Sequence, residues 1–303
     1  MFFEILIKIL PLYMVILLGY TAGRTLKTDR AVMGNFLLYI VSPPVILNGI
    51  LSIKGIEKLL LLPFITYFIS CCMCWIVYRI TISFFSDNLR NIIAFSSGSS
   101  NTGHFGLPIA LMLVDTETVG IYILAYSGVI LFENTYGFYV AAKGHLSTAY
   151  CLKRTIMLPS LHAILIAFTM KLLKLSFPPE FDIFFINLRG TYVTLGMGMI
   201  GMGLSTIEKF EIDWRCISIT MIVKYVLWPL FTLALVQLDK QYLNFFNYKV
   251  HNAMLILSIV PISVSTMVVG SVLKYPAEKL AVVVLLNTLV AVLYVPLMVQ
   301  FLL

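Results

Sequence analysis

The sequence predicts an all-α polytopic membrane protein: ten transmembrane helices built as two inverted repeats of five. Three observations predict this. The 303 residues are 60% hydrophobic and only 12% charged, against roughly 45–50% and about 25% in soluble domains. Ten apolar runs match the ~20 residues a helix needs to cross about 30 Å of hydrocarbon. Two breaks fall at corresponding places, each in the fourth run of its half.

Taken in order, the first span covers 2–22 and ends at Gly23-Arg24. Its basic turn is followed by no small-residue cleavage site, so it reads as a retained helix. The second, 31–50, carries Pro43-Pro44, and the third, 59–80, is entered through Pro63. The fourth, 90–114, contains SSGSSNTGHFGLP from Ser96 to Pro108, and the fifth is 118–141. A polar connector, 142–154, divides a first repeat, 1–141, from a second, 155–303. The sixth to eighth spans are 155–175, 185–205 and 214–236. The ninth, 250–273, holds the second break, Ser258 to Ser263, and the tenth is 278–303. Five spans per half turn the second copy over in the membrane. A further echo between the halves is Lys8-Ile9-Leu10-Pro11-Leu12 against Ile156-Met157-Leu158-Pro159-Ser160.

The net charge of +7 reflects Lys and Arg in short loops. No basic run with interleaved aromatics is present, so nucleic acid is not a partner. Loops after the odd-numbered spans hold twelve of these residues, among them Arg24, Arg79, Arg90, Lys143, Arg154 and Lys279; the opposite side holds eight. The excess marks the cytoplasmic side and places both termini outside. Cys71, Cys72, Cys74, Cys151 and Cys216 show no metal-ligand spacing and read as packing residues. No metal or cofactor is expected. Gly196-Met197-Gly198-Met199-Ile200-Gly201 matches a dinucleotide fingerprint but lacks its preceding strand. In a membrane span it reads as a close interhelical or subunit contact. No catalytic set appears, so the protein is not read as an enzyme.

The breaks carry the functional reading. In lipid every backbone N–H and C=O needs a partner, so a broken helix survives only inside protein or beside a wet cavity. Asn101 and Thr102 offer polar side chains there. Gly103 and Gly106 allow close approach, and Pro108 suits the first turn of a new half-helix. Pro261 repeats the scheme, with hydroxyls from Ser263, Ser265 and Thr266. Two converging half-helix N-termini favour an anion such as a carboxylate. Each contributes up to ~2 kcal/mol, while desolvating a carboxylate costs several, so side-chain donors or a cation must help. Lys224 is a mid-span cation for charge balance; Glu133, with Asn134 beside it, is a pocket or proton-coupling residue. His104 could titrate near neutral pH, and His162 reads as packing.

SSNTGHFGLPIAL resembles the NTGFLGLP-type signature of the auxin efflux carrier family, which includes plant PIN proteins and bacterial organic-acid carriers. YIVSPPVIL, YVTLGMGMIGMGL, KYVLWPL, VPISVSTMVVGSVLKY and LNTLVAVLYVPLMV extend the resemblance over essentially the whole chain. The resemblance implies that spans four and nine cross near Pro108 and Pro261. It implies that spans 1, 2, 6 and 7 form a scaffold that dimerises through 2 and 7, while 3–5 and 8–10 move as an elevator. Asn101 then matches the family's crossover asparagine, and Glu133 or Asn134 its polar span-five position. The chain departs from the pattern at His104, where an apolar residue is usual, at Lys224, where Arg is common, and in its short connector. The expectation is a secondary carrier of small organic anions, mono- or dicarboxylates, in the cytoplasmic membrane. The alternatives are a sodium-coupled carrier of the bile-acid type and a membrane sensor that binds such a ligand without moving it.

Overall fold

The computed structural model describes residues 2–26, 30–55, 58–83, 85, 87–142, 156–205, 212–272, 275 and 277–302. Among them every regular element is helical. The connector beyond Ala142, Cys151, and the loop residues Lys143 and Arg154 used for orientation lie outside the described residues.

α1 (Phe2–Thr25) is apolar along most of its length, with Glu4 in its first turn and Arg24 in its last, charges that suit the ends of the helix dipole. α2 (Arg30–Phe36) runs through a π-helical turn, Leu37–Val41, into α3 (Ser42–Leu51). The same device occurs twice more. A π turn at Thr102–Gly106 precedes Leu107-Pro108, and one at Val223–Leu227 precedes Trp228-Pro229. In all three the proline is the second residue after the turn. Proline has no N–H to give, and its ring crowds the carbonyl four residues back. Widening the preceding turn moves that carbonyl aside, so the helix bends without ending.

α4 (Leu62–Ile80) starts with Pro63 in its first turn. α5 (Asp87–Gly98) ends at the first break, beyond which α6 (Leu107–Leu113) continues the π turn. Asp115 caps α7 (Thr116–Asn134) by accepting from the amides of Glu117 and Thr118. α8 (Tyr136–Ala142) follows, then α9 (Pro159–Leu172), α10 (Asp182–Ser205), α11 (Trp214–Ile222) and α12 (Trp228–Leu238). A fourth π turn, Asp239–Leu243, is closed by Asn244 in the left-handed conformation. α13 (Tyr248–Ser258), α14 (Ser265–Val272) and α15 (Ala277–Leu302) complete the described chain.

Among the described residues six helical runs are long and apolar enough to cross a membrane: Leu6–Thr25, Val32–Leu51, Lys58–Ile80, Pro179–Ser205, Trp214–Leu243 and Lys279–Leu302. They coincide with six of the ten expected spans. The other four are interrupted or short. Spans four and nine are broken, as the sequence suggested. Span five, expected to be continuous, breaks at Thr135, whose backbone leaves the helical region (φ −124°, ψ −101°). In span six, α9 has 14 residues. The Pro11–Pro159 echo is not matched locally, since Pro11 lies inside α1 whereas Pro159 opens α9.

α1 lies along α10, and α3 packs on both α9 and α10. The α1–α10 seam is made of glycines. A β-carbon on Gly19 would collide with the Gly198 carbonyl, and one on Gly201 with the Ile16 carbonyl. The Gly196–Gly201 stretch is therefore an interhelical contact within the chain. A second set of contacts joins α4 to α5 and α7, α13 to α7 and α12, and α15 to α11 and α14. The two sets meet where α3 crosses α7 and where the first break lies on α10.

Polar loops gather at one end. Lys249 bonds Asp115 at 3.0 Å and Glu117 at 2.7 Å, and the Lys54 amide reaches Glu117 at 3.0 Å. Arg189 bonds Asn48, and Lys171 bonds the Ile53 carbonyl.

Candidate functional site

The two breaks meet. After α5 the chain leaves the helix at Ser99, and the Asn101 amide donates to the Pro261 carbonyl at 2.8 Å. The Asn101 carbonyl then accepts from Gly106 at 2.9 Å and Phe105 at 3.3 Å, which starts the second half-helix as a π turn at Thr102. The sequence placed Pro108 in the first turn of this half-helix, and it stands in the first turn of α6, with the π turn from Thr102 running ahead of it. In the second break α13 ends at Ser258 and α14 starts at Ser265. Pro261 lies in the non-helical link rather than in a first helical turn. Ser263 caps α14 instead, its hydroxyl accepting from the Ser265 amide at 3.1 Å.

Lys224 comes to this crossing from its π turn. It is fully buried, its ammonium donates to the Ser100 hydroxyl at 2.6 Å, and it lies 4.3 Å from the centre of the Trp228 ring. Trp228 in turn donates its indole N–H to the Ser97 carbonyl at 2.8 Å, satisfying one of the carbonyls that the end of α5 leaves open. Among the described residues no carboxylate lies within ion-pairing distance of Lys224. Glu133 interacts with it electrostatically but bonds elsewhere, accepting from the Ser265 hydroxyl at 2.9 Å. Ser263 and the Ser100 amide approach the same carboxylate.

Three buried polar atoms near the crossing have no hydrogen-bond partner among the described residues: Asn101 Nδ2, Glu133 Oε1 and Thr266 Oγ1. Buried polar atoms are paired in the great majority of cases. Lys224 bonds the residue next to Asn101, and a buried ammonium and an unpaired amide are both donors that an anion would satisfy. No family model matches the chain, and no curated protein matches it. The chemistry of the site therefore rests on its geometry.

The structure thus gathers Asn101, Pro261, Ser263, Ser265 and Glu133, with Lys224 joined through Ser100. Thr102 stands at the same point, its carbonyl accepting from the Tyr122 hydroxyl at 2.9 Å. Gly106 has a packing reason to be glycine: a β-carbon there would strike the Tyr122 hydroxyl and lie 2.9 Å from Val260. Gly103 faces the Tyr192 hydroxyl. Other expected residues are placed differently. Asn134 returns its amide to the Ile130 carbonyl of its own helix at 2.8 Å, a helix-internal bond. The His104 backbone packs on Gly196 of α10. His162 lines a separate apolar cavity with Pro43, Pro44 and Phe185. Sequence reasoning missed Ser100, Trp228 and Tyr122 as contributors. Trp228 follows Lys224 by four residues, a spacing that puts two helical side chains on one face, and this was the available signal.

Proposed function

We propose that the protein is a secondary membrane carrier of small organic anions, mono- or dicarboxylates. One observation carries this reading. At the contact between two broken helices, a fully buried Lys224 has no carboxylate partner among the described residues and Asn101 keeps an unpaired amide. An ammonium removed from water costs several kcal/mol unless it is compensated. A carboxylate supplied by substrate offsets that cost and accepts from Asn101. Carriers of this kind bind near the midplane where discontinuous helices meet.

The auxin efflux carrier resemblance fits the same reading. Its expected architecture has ten spans in two inverted repeats, 1–141 and 155–303, joined by a connector at 142–154. The packing of α1, α3, α9 and α10 on one another supports a scaffold of spans 1, 2, 6 and 7. The remaining helices form the body that moves elevator-fashion. The gathering of Lys54, Asp115 and Lys249 at one end supports loops after spans two, four and eight on one face. A homodimer through spans 2 and 7 and a cytoplasmic-membrane location with both termini outside belong to this reading.

The unpaired Glu133 oxygen among serine hydroxyls favours a second reading, in which a cation such as sodium or a proton couples to transport there.

Reconstituted liposomes test both. A panel of carboxylates is presented to a solid-supported membrane, with and without sodium and a pH gradient, and radiolabel counterflow detects electroneutral exchange. Saturable flux of one acid, weakened in Asn101→Ala, supports the carrier; an absolute sodium requirement selects the second reading. Binding without flux in either assay overturns both and leaves a sensor.

A further inference from the structure

A second buried polar pair lies outside the crossing. The Asp239 carboxylate, at the end of α12, accepts from the amides of Phe245 and Phe246 at 3.1 Å each. It also faces His251 Nε2 on α13 at 2.9 Å. Both side chains are almost wholly buried, with Asp239 and His251 each 5% exposed. Nε2 is taken up by the carboxylate, which leaves Nδ1 as the ring's other polar atom. That Nδ1 is buried and has no partner.

The pair forms one wall of a cavity of about 450 Å³ between α4, α12 and α13. This lies within the ~300–1,000 Å³ of small-ligand sites. The rest of the lining is apolar, from Phe64, Phe68, Phe231, Leu235, Leu243 and Met254. Phe64 and Phe68 on α4 and Leu243 are strongly exposed on their outer sides. The cavity therefore opens sideways, toward hydrocarbon in a chain that spans a bilayer. Its polar end lies at a helix end, two residues from Lys249 and the charged loops, while Ile69, Phe231 and Met254 lie further along their helices. One polar end and one long apolar wall are the profile of an amphiphile standing in a membrane leaflet.

We propose that this groove holds one membrane amphiphile, a single acyl chain whose hydroxyl head hydrogen-bonds with His251 Nδ1. Hydrocarbon offers no water to satisfy the nitrogen, and the bilayer is the source of the ligand. The site is separate from the helix crossing and does not depend on what crosses the membrane.

The test uses the full chain in lipid nanodiscs with two photoactivatable probes: a diazirine-bearing long-chain alcohol and the same alkyl chain without its hydroxyl. Cross-linked peptides are mapped by mass spectrometry. Labelling by the alcohol should concentrate on residues 61–69 and 231–254. His251→Leu should lower it about fivefold to tenfold, the worth of one net hydrogen bond, to the level of the headless chain. Leu235→Trp keeps the Asp239–His251 pair, fills the groove and should remove labelling by both probes. Leu293→Trp, at an exposed site on α15, should change neither. Monodisperse elution of each variant shows that it is folded. Even labelling around the perimeter, or labelling indifferent to Leu235→Trp, overturns the proposal.

Discussion

The backbone amide of Asn101 donates to the carbonyl of Pro261, 2.8 Å away, so the interruption in one half of the chain is hydrogen-bonded to the interruption in the other. Because this bond uses main-chain atoms, the Asn101 side chain is left free for other work, and its Nδ2 has no partner.

On the proposed carrier reading, Asn101→Ala should keep the fold and weaken substrate binding. A hydrogen bond to a charged group is worth ~1.5–3 kcal/mol, so apparent affinity should fall about 10-fold to 100-fold. Counterflow titration measures it. Unchanged kinetics would remove Asn101 from the site.

Lys224→Met separates function from stability. Replacing a buried charge with an apolar residue of similar volume is often neutral or stabilising. The melting temperature should hold or rise while the anion flux of the proposed carrier is lost. Ser100→Ala should act in the opposite sense, leaving the ammonium without its hydroxyl and costing about 1–3 kcal/mol. Thermal unfolding in detergent reads both.

Gly106→Ala should destabilise by about 1–3 kcal/mol, the range for overpacking, because its β-carbon meets the Tyr122 hydroxyl and Val260. Adding Tyr122→Phe removes the struck oxygen and should recover part of the loss, a coupling that a double-mutant cycle would register. Gly190→Ala, with open space around it, is the control.

The charged cluster at the loop end predicts a pH dependence. Partial burial raises the Asp115 carboxyl, but the Thr118 hydroxyl, Lys249 and the Thr118 amide outweigh it and bring it to about 2. Lys249 and the Lys54 amide lower Glu117. A depressed carboxylate contributes stability that is present above its unfolded value, near ~4, and is lost as pH falls through its folded value. Lys249→Met should thus melt slightly below the parent protein at pH 7, and the gap should close between pH ~4 and ~2. Asp115 is half exposed, so salt should shrink the gap as well. A gap that widens toward low pH would contradict the assignment.

Much of this arrangement was legible before the structure. Gly, Ser and Pro inside apolar runs located both breaks, and the cost of intramembrane charge singled out Lys224 and Glu133. The exact helix starts were not legible. A proline reports a missing N–H and a crowded carbonyl, and a π turn upstream absorbs both, so Pro108 stands in the first turn of α6 but a π turn from Thr102 precedes it, and Pro261 lies outside any helix. The break at Thr135 was hidden because Glu133, Asn134 and Thr135 read as polar residues in one span. The bond from Lys224 to Ser100 depends on how two distant segments align, which local patterning does not encode.

The glycine seam between α1 and α10 has a consequence for biosynthesis. Its two strips are separated by more than 150 residues, from Thr25 to Asp182. At ~5–20 residues per second, the first strip waits roughly 8–30 s for the second to be made. During that time α1 must reside in lipid without its largest partner. Only 17% of its membrane-crossing window is buried even in the finished molecule, so it enters the bilayer already dressed for solitude. The later helix then docks onto a neighbour whose narrow strip of missing side chains has been waiting to be filled.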